Sequence, residues 1–249
     1  MPPKISVNII THNRARLLGR AINSVQAQSE TDWELIIIDD GSEDDTAEVV
    51  KSFKDARIKY TPVAKHDSIG ALRNIGLKLS RGKYVAVLDD DDYWTDPDKL
   101  KKQANFLDRS GYNLVGTAFN LIDKDGRMIG KKNHLIDNED IRKKMTAQNM
   151  FAHSTAMFPR AIAIEVNGYD QINLAEDYSL WLKLGTRGRI ANLADQTTNY
   201  TANNSNYRDN DQKMIKMVYQ VVKNYLRHYP NRYQNSSKWL YRRIKSKII

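Results

Sequence analysis

The sequence contains no cysteine, and this absence removes several classes of protein at once. Disulfide-stapled scaffolds, thiolate metal sites and enzymes with a cysteine nucleophile are all excluded. A chain without cysteine is also suited to a reducing compartment, so we expect a cytoplasmic location.

Long hydrophobic runs are absent as well. No apolar stretch approaches the ~20 residues that a membrane-spanning helix needs, so we expect no span. The short run Ile5–Ile10, with two polar members, is too short for the core of a signal peptide. The rest of the composition suits a folded protein. Of the 249 residues, 41% are hydrophobic and 28% are charged, which is enough to bury a core.

Positive charge is concentrated at one end of the sequence. The net charge is +9, and residues 211–249 contain ten Lys and Arg against the one acid Asp211. The first 210 residues are therefore neutral overall. This distribution does not describe a uniformly cationic nucleic-acid binder, and we expect no nucleic-acid partner.

The first 120 residues alternate between strand-like and helix-like patterns. Apolar, β-branched runs predict strands over Ile5–Ile10, Glu34–Ile38, Arg57–Thr61 and Tyr84–Leu88. Between them, apolar residues at helical spacing predict three helices, the last capped by Ser68 and ended by a turn at Gly82. Such alternation predicts a parallel sheet with helices on both faces. Ligands of these sheets bind beyond the carboxyl ends of the strands, so the residues there are candidates for a site.

After residue 120 the pattern becomes mixed. The predicted elements are a strand over 114–119, a hairpin turn over 123–127, a helix over 138–145, a strand over 151–158, a helix over 160–167 and a helix that opens at 176–177. We therefore predict one α/β domain over residues 1–210, followed by a basic helical extension over residues 211–249.

Four consecutive aspartates, Asp89–Asp92, follow the fourth predicted strand. Adjacent carboxylates repel one another, so a fold that gathers them needs a cation or solvent around them. Hard divalent ions prefer such oxygen ligands, and Mg²⁺ typically uses one or two carboxylates together with substrate phosphates. A solvated acidic loop is the alternative. The position directly after a buried strand favours the metal.

Polar residues also follow the first two predicted strands. Asp39 and Asp40 come after the second strand, where a carboxylate can accept hydrogen bonds from a nucleobase or a ribose hydroxyl. An aspartate-rich turn before a capped helix is an equal alternative. Thr11, His12 and Asn13 follow the first strand, and His12 taken alone indicates no more than a polar surface residue.

Two further sites carry charge at predicted helices. Glu176 and Asp177 lie at a helix start, where acids ordinarily serve as capping residues favoured by the helix dipole. Arg73 lies on the helix after the third strand, and it can pair with a diphosphate or with Asp39 or Asp40. A surface arginine is the default interpretation of that residue.

Taken together and in order, these segments resemble a family 2 glycosyltransferase of the GT-A fold. The resemblance covers roughly residues 4 to 200. It implies a Rossmann-like, mostly parallel central sheet flanked by helices, here with the basic helical tail. The segments that carry it are Ile5–Arg14, Glu34–Ser42, Arg73–Gly76, Gly82–Asp92 and Glu176–Trp181.

The resemblance implies an activity of the hexosyltransferase type. A sugar would pass from a nucleotide-diphosphate donor, by default a UDP-sugar, to an acceptor hydroxyl with inversion and with Mn²⁺ or Mg²⁺ bound. The acceptor would be a glycan or a lipid-linked glycan in the synthesis of cell-surface polysaccharide.

The resemblance also assigns roles to residues. Asp177 would be the general base, with Glu176 beside it, and Asp91 would be the more direct metal ligand, with Asp89 facing the ribose or a metal-bound water. The implied donor-binding residues are Thr11, His12, Asn13, Asp39, Asp40, Arg73, Asp89 and Asp90.

The sequence departs from the family in two places. The Gln-any-any-Arg-Trp motif of processive polysaccharide synthases is absent, which favours the transfer of one sugar per encounter. Many relatives carry a histidine in the loop after the last strand. Residues 200–208 contain none, which leaves open whether Asn203 or Arg208 takes its place.

The basic tail has two interpretations. Apolar residues at helical spacing with lysines between them, and Trp239 near the end, suit an anionic membrane surface. We therefore expect peripheral contact with the inner membrane face. A helix packed on the core, with a solvated basic face, is nearly as well supported.

Two other functions are compatible with parts of the pattern. A sugar-1-phosphate nucleotidyltransferase also binds nucleotide and metal, but its glycine- and lysine-rich phosphate loop is missing near the N-terminus. A non-catalytic nucleotide-sugar-binding protein would keep Asp40 and lose Asp91 or Asp177. Neither is lost, so we favour the transferase.

Overall fold

The computed structural model describes residues 1–202, 212–231 and 234–235. Its strands form one sheet. The strands are β1 (Ile5–Thr11), β2 (Trp33–Asp39), β3 (Ile58–Pro62), β4 (Tyr84–Val87), β5 (Tyr93–Trp94), β6 (Tyr112–Ile122), β7 (Met128–Lys132), β8 (Met157–Pro159) and β9 (Arg189–Thr201). The helices are α1 (Ala15–Gln26), α2 (Thr46–Ser52), α3 (Ile69–Leu79), α4 (Lys99–Ser110), α5 (Asn138–Lys144), α6 (Arg160–Glu165), α7 (Glu176–Arg187) and α8 (Gln212–Tyr225).

The first half of the sheet is parallel, in the order β3-β2-β1-β4. The strands β1, β2 and β4 are buried almost throughout, which explains why their sequences are apolar rather than alternating. In the register of β1 and β2, Thr11 lies opposite Asp39. The polar residues that follow these two strands therefore begin side by side at one edge of the sheet.

The second half of the sheet mixes strand directions. β8 runs antiparallel to β4 and to β6, while β9 runs parallel to β6. The short strand β5 pairs with the end of β9, with Trp94 opposite Thr198. The chain that leaves the aspartate cluster is therefore fixed to the far half of the sheet. The predicted mostly parallel sheet with flanking helices is confirmed.

The two largest apolar clusters pack on the two faces of this sheet. One contains residues of α1 and α4, such as Leu18 and Leu100. The other contains Trp181 of α7 together with Ile215 and Val222 of α8. α8 is therefore packed on the core, and the division of the chain at residue 210 stays a prediction.

Several predicted local features are confirmed. The Oγ of Ser68 accepts a hydrogen bond from the N–H of Ala71 at 3.2 Å and caps α3. The turn between β6 and β7 closes with the N–H of Asp123 donating to the carbonyl of Arg127 at 2.9 Å. Gly126 has a φ of 82° in this turn, a conformation that favours glycine.

Two local predictions are wrong. Residues 151–158 do not form one strand, because a 3-10 turn at His153–Thr155 precedes β8. This turn brings His153 to Asp89 and Ser154 to Asp92. Gly82 does not end α3, which stops at Leu79. It lies against β1, where a Cβ would come within 2.5 Å of the Ser6 nitrogen. Close approach of two backbones, and not a helix cap, requires this glycine.

Candidate active site

The corner formed by the ends of β1 and β2 holds Asp39 in place. The Oδ1 of Asp39 accepts hydrogen bonds from both the N–H and the hydroxyl of Ser42. The hydroxyl of Tyr60 donates to its other oxygen. All of these donors are neutral groups.

Asp40 lies beside this residue and is buried. Its N–H donates to the carbonyl of Thr11 at 3.0 Å, and its Oδ1 accepts from the N–H of His66 at 2.7 Å. The Nε2 of His12 lies against the Nζ of Lys65, in the same loop as His66. The structure therefore brings Thr11, His12 and Asp40 together at one corner.

Asn13 connects the two loops of this corner. Its N–H donates to the hydroxyl of Ser42 at 2.8 Å, and its Oδ1 accepts from the N–H of Glu43 at 2.8 Å. Asn13 has a φ of 51°, a strained conformation that asparagine tolerates better than most residues. These contacts assign it a positioning task within the corner.

The four aspartates that follow β4 point to different partners. Asp91 accepts a hydrogen bond from Arg14 at 2.6 Å, and Asp90 lies 3.2 Å from the same guanidinium. Asp92 points inward instead. It accepts from the hydroxyl of Ser154 and, at 2.7 Å, from the N–H of Thr201. Asp92 therefore anchors the cluster to the second half of the sheet.

Burial disfavours the charged forms of two carboxyl groups in this cluster. Burial raises the pKa of Asp90 to about 7, although Arg14 opposes the shift. The pKa of Asp92 is also raised, by burial and by the charges of Asp89 and Asp91. The nearby cations do not fully compensate the carboxylates, so the cluster is suited to bind a further cation.

The carboxylate oxygens of this cluster are of the type that binds a divalent ion when a substrate supplies the remaining ligands. Carboxylate oxygens are the ligands that Mg²⁺ and similar hard ions prefer. Within the described part of the chain, no three His, Asp or Glu side chains converge as a complete metal cage.

Arg73 joins the aspartate cluster to the start of α7. Its Nη2 donates to the Oδ1 of Asp89 at 3.1 Å, and its Nε donates to the Oε1 of Glu176 at 3.0 Å. The side chain is buried, and the charges of Asp89 and Glu176 raise its pKa against the effect of burial. Arg73 is thus a buried cation between two acids, and neither Asp39 nor Asp40 is its partner.

His153 is a residue of this network that the sequence pattern did not indicate. Its Nδ1 lies 3.1 Å from the Oδ1 of Asp89, and its Nε2 lies 3.3 Å from the hydroxyl of Tyr169. Burial and Arg73 lower the pKa of His153. Burial alone would raise the pKa of Asp89, but His153 and Arg73 hold it well below its ordinary value.

Asp177 lies in the first turn of α7. Its Oδ2 accepts a hydrogen bond from the amide of Asn149 at 3.0 Å, and its Oδ1 accepts from the N–H of Tyr178 at 2.6 Å. Burial, and then the charge of Glu176, raise the pKa of Asp177 to about 7. A carboxylate with this pKa is a stronger base than an ordinary aspartate near neutral pH.

The predicted residues thus form two connected groups. Asp39, Asp40, Thr11, His12 and Asn13 make the corner of β1 and β2. Asp89, Arg73, Glu176 and Asp177 make a chain of contacts toward α7, and Arg14 connects the first group to Asp90 and Asp91. Asn203 and Arg208 lie outside the described residues.

The fold matches that of known sugar-transferring enzymes. The S. aureus TarS 1–349 complex with UDP-GlcNAc superposes with a TM-score of 0.76 at 21% identity, covering 97% of this chain and 73% of that one. The mannosyltransferase PcManGT from Pyrobaculum calidifontis, in complex with GDP-Man and Mn²⁺, gives a TM-score of 0.75 at 15% identity, covering 100% and 74%. The fold is the GT-A fold of glycosyltransferases.

Sequence comparison shows the family. The profile of glycosyl transferase family 2 matches residues 6–166, and the chain belongs to this family. The O-antigen biosynthesis glycosyltransferase WbnJ of Escherichia coli is 31% identical over 211 residues, which cover 80% of each chain.

Other relatives are matched over very different shares of their own length. The putative teichuronic acid biosynthesis glycosyltransferase TuaG of Bacillus subtilis is 27% identical over 89% of this chain and 88% of its own. An uncharacterized glycosyltransferase of Rickettsia bellii is 30% identical over 78% of this chain, which spans only 28% of that relative's length. Two further Rickettsia relatives are matched over 31% of their length.

Proposed function

We propose that the protein transfers a single sugar from a nucleotide-diphosphate donor to an acceptor hydroxyl, with inversion at the anomeric carbon. The observation that carries this proposal is the buried link from Asp89 through Arg73 to Glu176, next to Asp177. It connects the end of β4, where a diphosphate would bind, to a carboxylate of raised pKa. A leaving group and an attacking hydroxyl therefore have separate partners in one site.

The acceptor hydroxyl loses its proton to Asp177 in this mechanism. The bond from its oxygen to the anomeric carbon forms as the bond to the diphosphate breaks on the opposite face, which inverts that carbon. Asn149 keeps the carboxylate oriented through its hydrogen bond. A single base is sufficient, because no covalent intermediate between sugar and protein is formed.

Negative charge develops on the diphosphate as it leaves. Arg14, which contacts Asp90 and Asp91, would stabilise part of this negative charge. Asp91 and Asp89 would hold a Mn²⁺ or Mg²⁺ ion, which supplies charge stabilisation without proton transfer. Arg73 and His153 keep Asp89 ionised for this task.

The corner of β1 and β2 would bind the nucleoside. Asp40 would accept a hydrogen bond from the base, Thr11 and His12 would line the same pocket, and Asp39, already held by Ser42 and Tyr60, would support it. Uridine is our default base. TarS 1–349 in complex with UDP-GlcNAc, which has the same fold, supports a UDP-sugar.

The acceptor would be a growing polysaccharide or a lipid-linked glycan. Relatives named for teichuronic acid, O-antigen and succinoglycan biosynthesis support this class. A cytoplasmic location at the membrane would agree with such an acceptor. No helix among the described residues has the length and apolar character of a membrane span.

The basic tail is a proposed contact with an anionic membrane. The face of α8 that bears Ile215 and Val222 is buried, so that face is occupied by the core. Trp239 and the bases around it lie outside the described residues. Deletion of residues 236–249 should weaken sedimentation with anionic vesicles, and unchanged sedimentation would refute the tail contact.

A donor screen tests the proposed function. Thermal shifts should be measured with common UDP-, GDP- and dTDP-sugars, each with Mn²⁺ and with a chelator, followed by detection of sugar transfer. We expect stabilisation by one class of donor, and stronger stabilisation with the metal. In Asp91→Ala this metal-dependent part should disappear. Donor binding that is equal with chelator and with metal would overturn the metal assignment, and no donor binding at all would overturn the function.

A further inference from the structure

Two neighbouring apolar residues of β7 lie in solvent. Met128 is 62% exposed and Ile129 is 58% exposed. In the described part of the chain, β7 pairs on one edge only, with β6. The register with β6 shifts here, because Ile122 lies opposite Met128 whereas Leu121 lies opposite Gly130, so Ile129 is the extra residue of an irregular pairing. Two adjacent exposed apolar side chains on a strand with an unpaired edge are suited to contact with another molecule.

Basic residues surround the two apolar ones. Lys124, Arg127, Lys131 and Lys132 are all exposed, and none forms a salt bridge with a described residue. Two acids lie in the same hairpin. One of them, Asp123, is engaged in the turn, where its Oδ1 accepts from two backbone N–H groups. The hairpin is therefore apolar near its tip and basic around it.

We propose that this surface of the β6–β7 hairpin binds an anionic membrane. We call it the hairpin surface and define it as Lys124, Arg127, Met128, Ile129, Lys131 and Lys132. Lipid headgroups would neutralise its bases, and Met128 and Ile129 would enter the interface between headgroups and acyl chains. A second copy of the chain is a poorer partner, because two such surfaces would bring like charges together.

The base of the hairpin is fixed to the candidate active site. The N–H of Ala202 donates to the carbonyl of Ile122 at 2.8 Å, so the end of β6 is tied to the end of β9. The preceding residue, Thr201, donates its N–H to Asp92 at 2.7 Å. A membrane bound at the hairpin therefore lies near the aspartate cluster. Its use for a lipid-linked acceptor rests on the proposed function, whereas the membrane contact itself does not.

Sedimentation of the full chain with vesicles is the first test. Vesicles of phosphatidylglycerol and phosphatidylcholine in equal parts are compared with vesicles of phosphatidylcholine alone. We expect binding to the anionic vesicles only, and about tenfold weaker binding by the double variant Lys131→Glu, Lys132→Glu. The double variant Lys51→Glu, Lys101→Glu makes the same change in net charge on exposed residues of α2 and α4, and it should bind almost normally.

Labelling of single cysteines is the second test, and the absence of native cysteine makes it direct. Ile129→Cys carries an environment-sensitive fluorophore, and Ile164→Cys, at a residue of α6 that is 44% exposed, is the matched control. We expect anionic vesicles to shift the emission of the label at 129 to shorter wavelength. Lipids with a nitroxide in the acyl chain should quench it, and the label at 164 should not respond.

The outcomes separate this proposal from its alternatives. The proposal would be overturned if the double variant Lys131→Glu, Lys132→Glu bound vesicles as well as the control variant did, or if the label at 129 did not respond. Any membrane binding would then belong to another region of the chain. A label that responds to protein concentration without vesicles, together with a doubled mass in light scattering, would show a second copy instead. Donor binding measured on the same variants reports separately on the proposed function, so either proposal can fail alone.

Discussion

The two groups of acidic residues in the candidate site are held in different ways. At the end of β2, Asp39 is held by Ser42 and Tyr60, which lie 3 and 21 residues away in sequence and carry no charge. At α7, Glu176 is held by Arg73, which lies 103 residues away and is buried with it. The first arrangement is local and neutral, whereas the second is long-range and ionic.

In the proposed function, this difference separates recognition of the donor from the chemistry of transfer. The carboxylates of the first corner can accept further hydrogen bonds, and the proposed function gives these to a nucleoside. The buried charges of the second group instead change acidity, because low exposure strengthens every charge interaction there. Substitutions in the first corner should therefore affect donor affinity, and substitutions in the second should affect catalysis and folding.

The largest effect is expected at Asp177. Asp177→Asn removes the base and should lower the transfer rate about a thousandfold while donor affinity is retained. Single-turnover transfer and calorimetric donor binding measure the two quantities. Asp45→Asn, an exposed acid before α2, is the control. Near-normal transfer by Asp177→Asn would show that the base lies elsewhere.

The pH dependence of the native enzyme sharpens the same point. The pKa of Asp177 is raised to about 7, and only the ionised form can accept a proton. The single-turnover rate should therefore rise with pH through about 7 and fall below it. A rate that stays constant from pH 6 to pH 8 would contradict the assignment of the base.

The next effect concerns Arg73 and the free energy of unfolding. Arg73→Gln leaves the buried Glu176 without its cation and should cost about 3 kcal/mol. The control Arg187→Gln removes a similar pair with Glu165, in which both side chains are half exposed and the atoms are 3.5 Å apart. It should cost no more than about 0.5 kcal/mol. Equal losses in urea denaturation would show that burial does not strengthen the ion pair of Arg73 with Glu176.

A smaller effect is expected from Lys99, a fully buried cation of α4. Its Nζ bonds the Oε1 of Gln103 at 2.6 Å and lies 4.2 Å from the centre of the Trp94 ring. Burial lowers its pKa from 10.5 to about 7, although Asp96 opposes the shift. Between these two values the unfolded chain binds the extra proton, so the stability that Lys99 contributes rises with pH.

Lys99→Met tests this linkage. From pH 7 to pH 9, the unfolding free energy of the native chain should rise by about 2 kcal/mol relative to the variant. Denaturation of both proteins at the two pH values measures it. A difference that is independent of pH would show that Lys99 keeps its ordinary pKa in the folded state.

The smallest effect on the fold is expected in the first corner. Asp40→Asn should weaken donor binding about tenfold, since one charged acceptor is lost, and should leave the unfolding free energy nearly unchanged. Tyr60→Phe, which removes only a donor to Asp39, is the matched comparison. A large loss of stability in Asp40→Asn would mean that this corner is structural.

The first half of the fold could be predicted because its signals are local. Apolar β-branched runs, the cap at Ser68 and the acids after β2 and β4 each lie within a few residues of the element that they specify. The second half could not be predicted in the same way. His153 occurs in an apolar segment that favours a strand, and its contact with Asp89 depends on how β8 enters the sheet.

The partner of Arg73 shows the same limit. The sequence offered Asp39, Asp40 or a diphosphate, since each is an anion near the carboxyl ends of the strands. The choice of Asp89 and Glu176 depends on where α3 meets α7, which no short pattern specifies. Strand β9 was also missed, because its polar sequence carries no regular alternation.

A crystal structure with a non-hydrolysable nucleotide sugar and Mn²⁺ tests the central claim most directly. We predict that the base lies at the corner of Thr11 and Asp40, that the diphosphate lies against Asp89 and Asp91, and that the anomeric carbon faces Asp177. A bound sugar that points away from α7, with Asp177 beyond reach of an acceptor hydroxyl, would contradict the account.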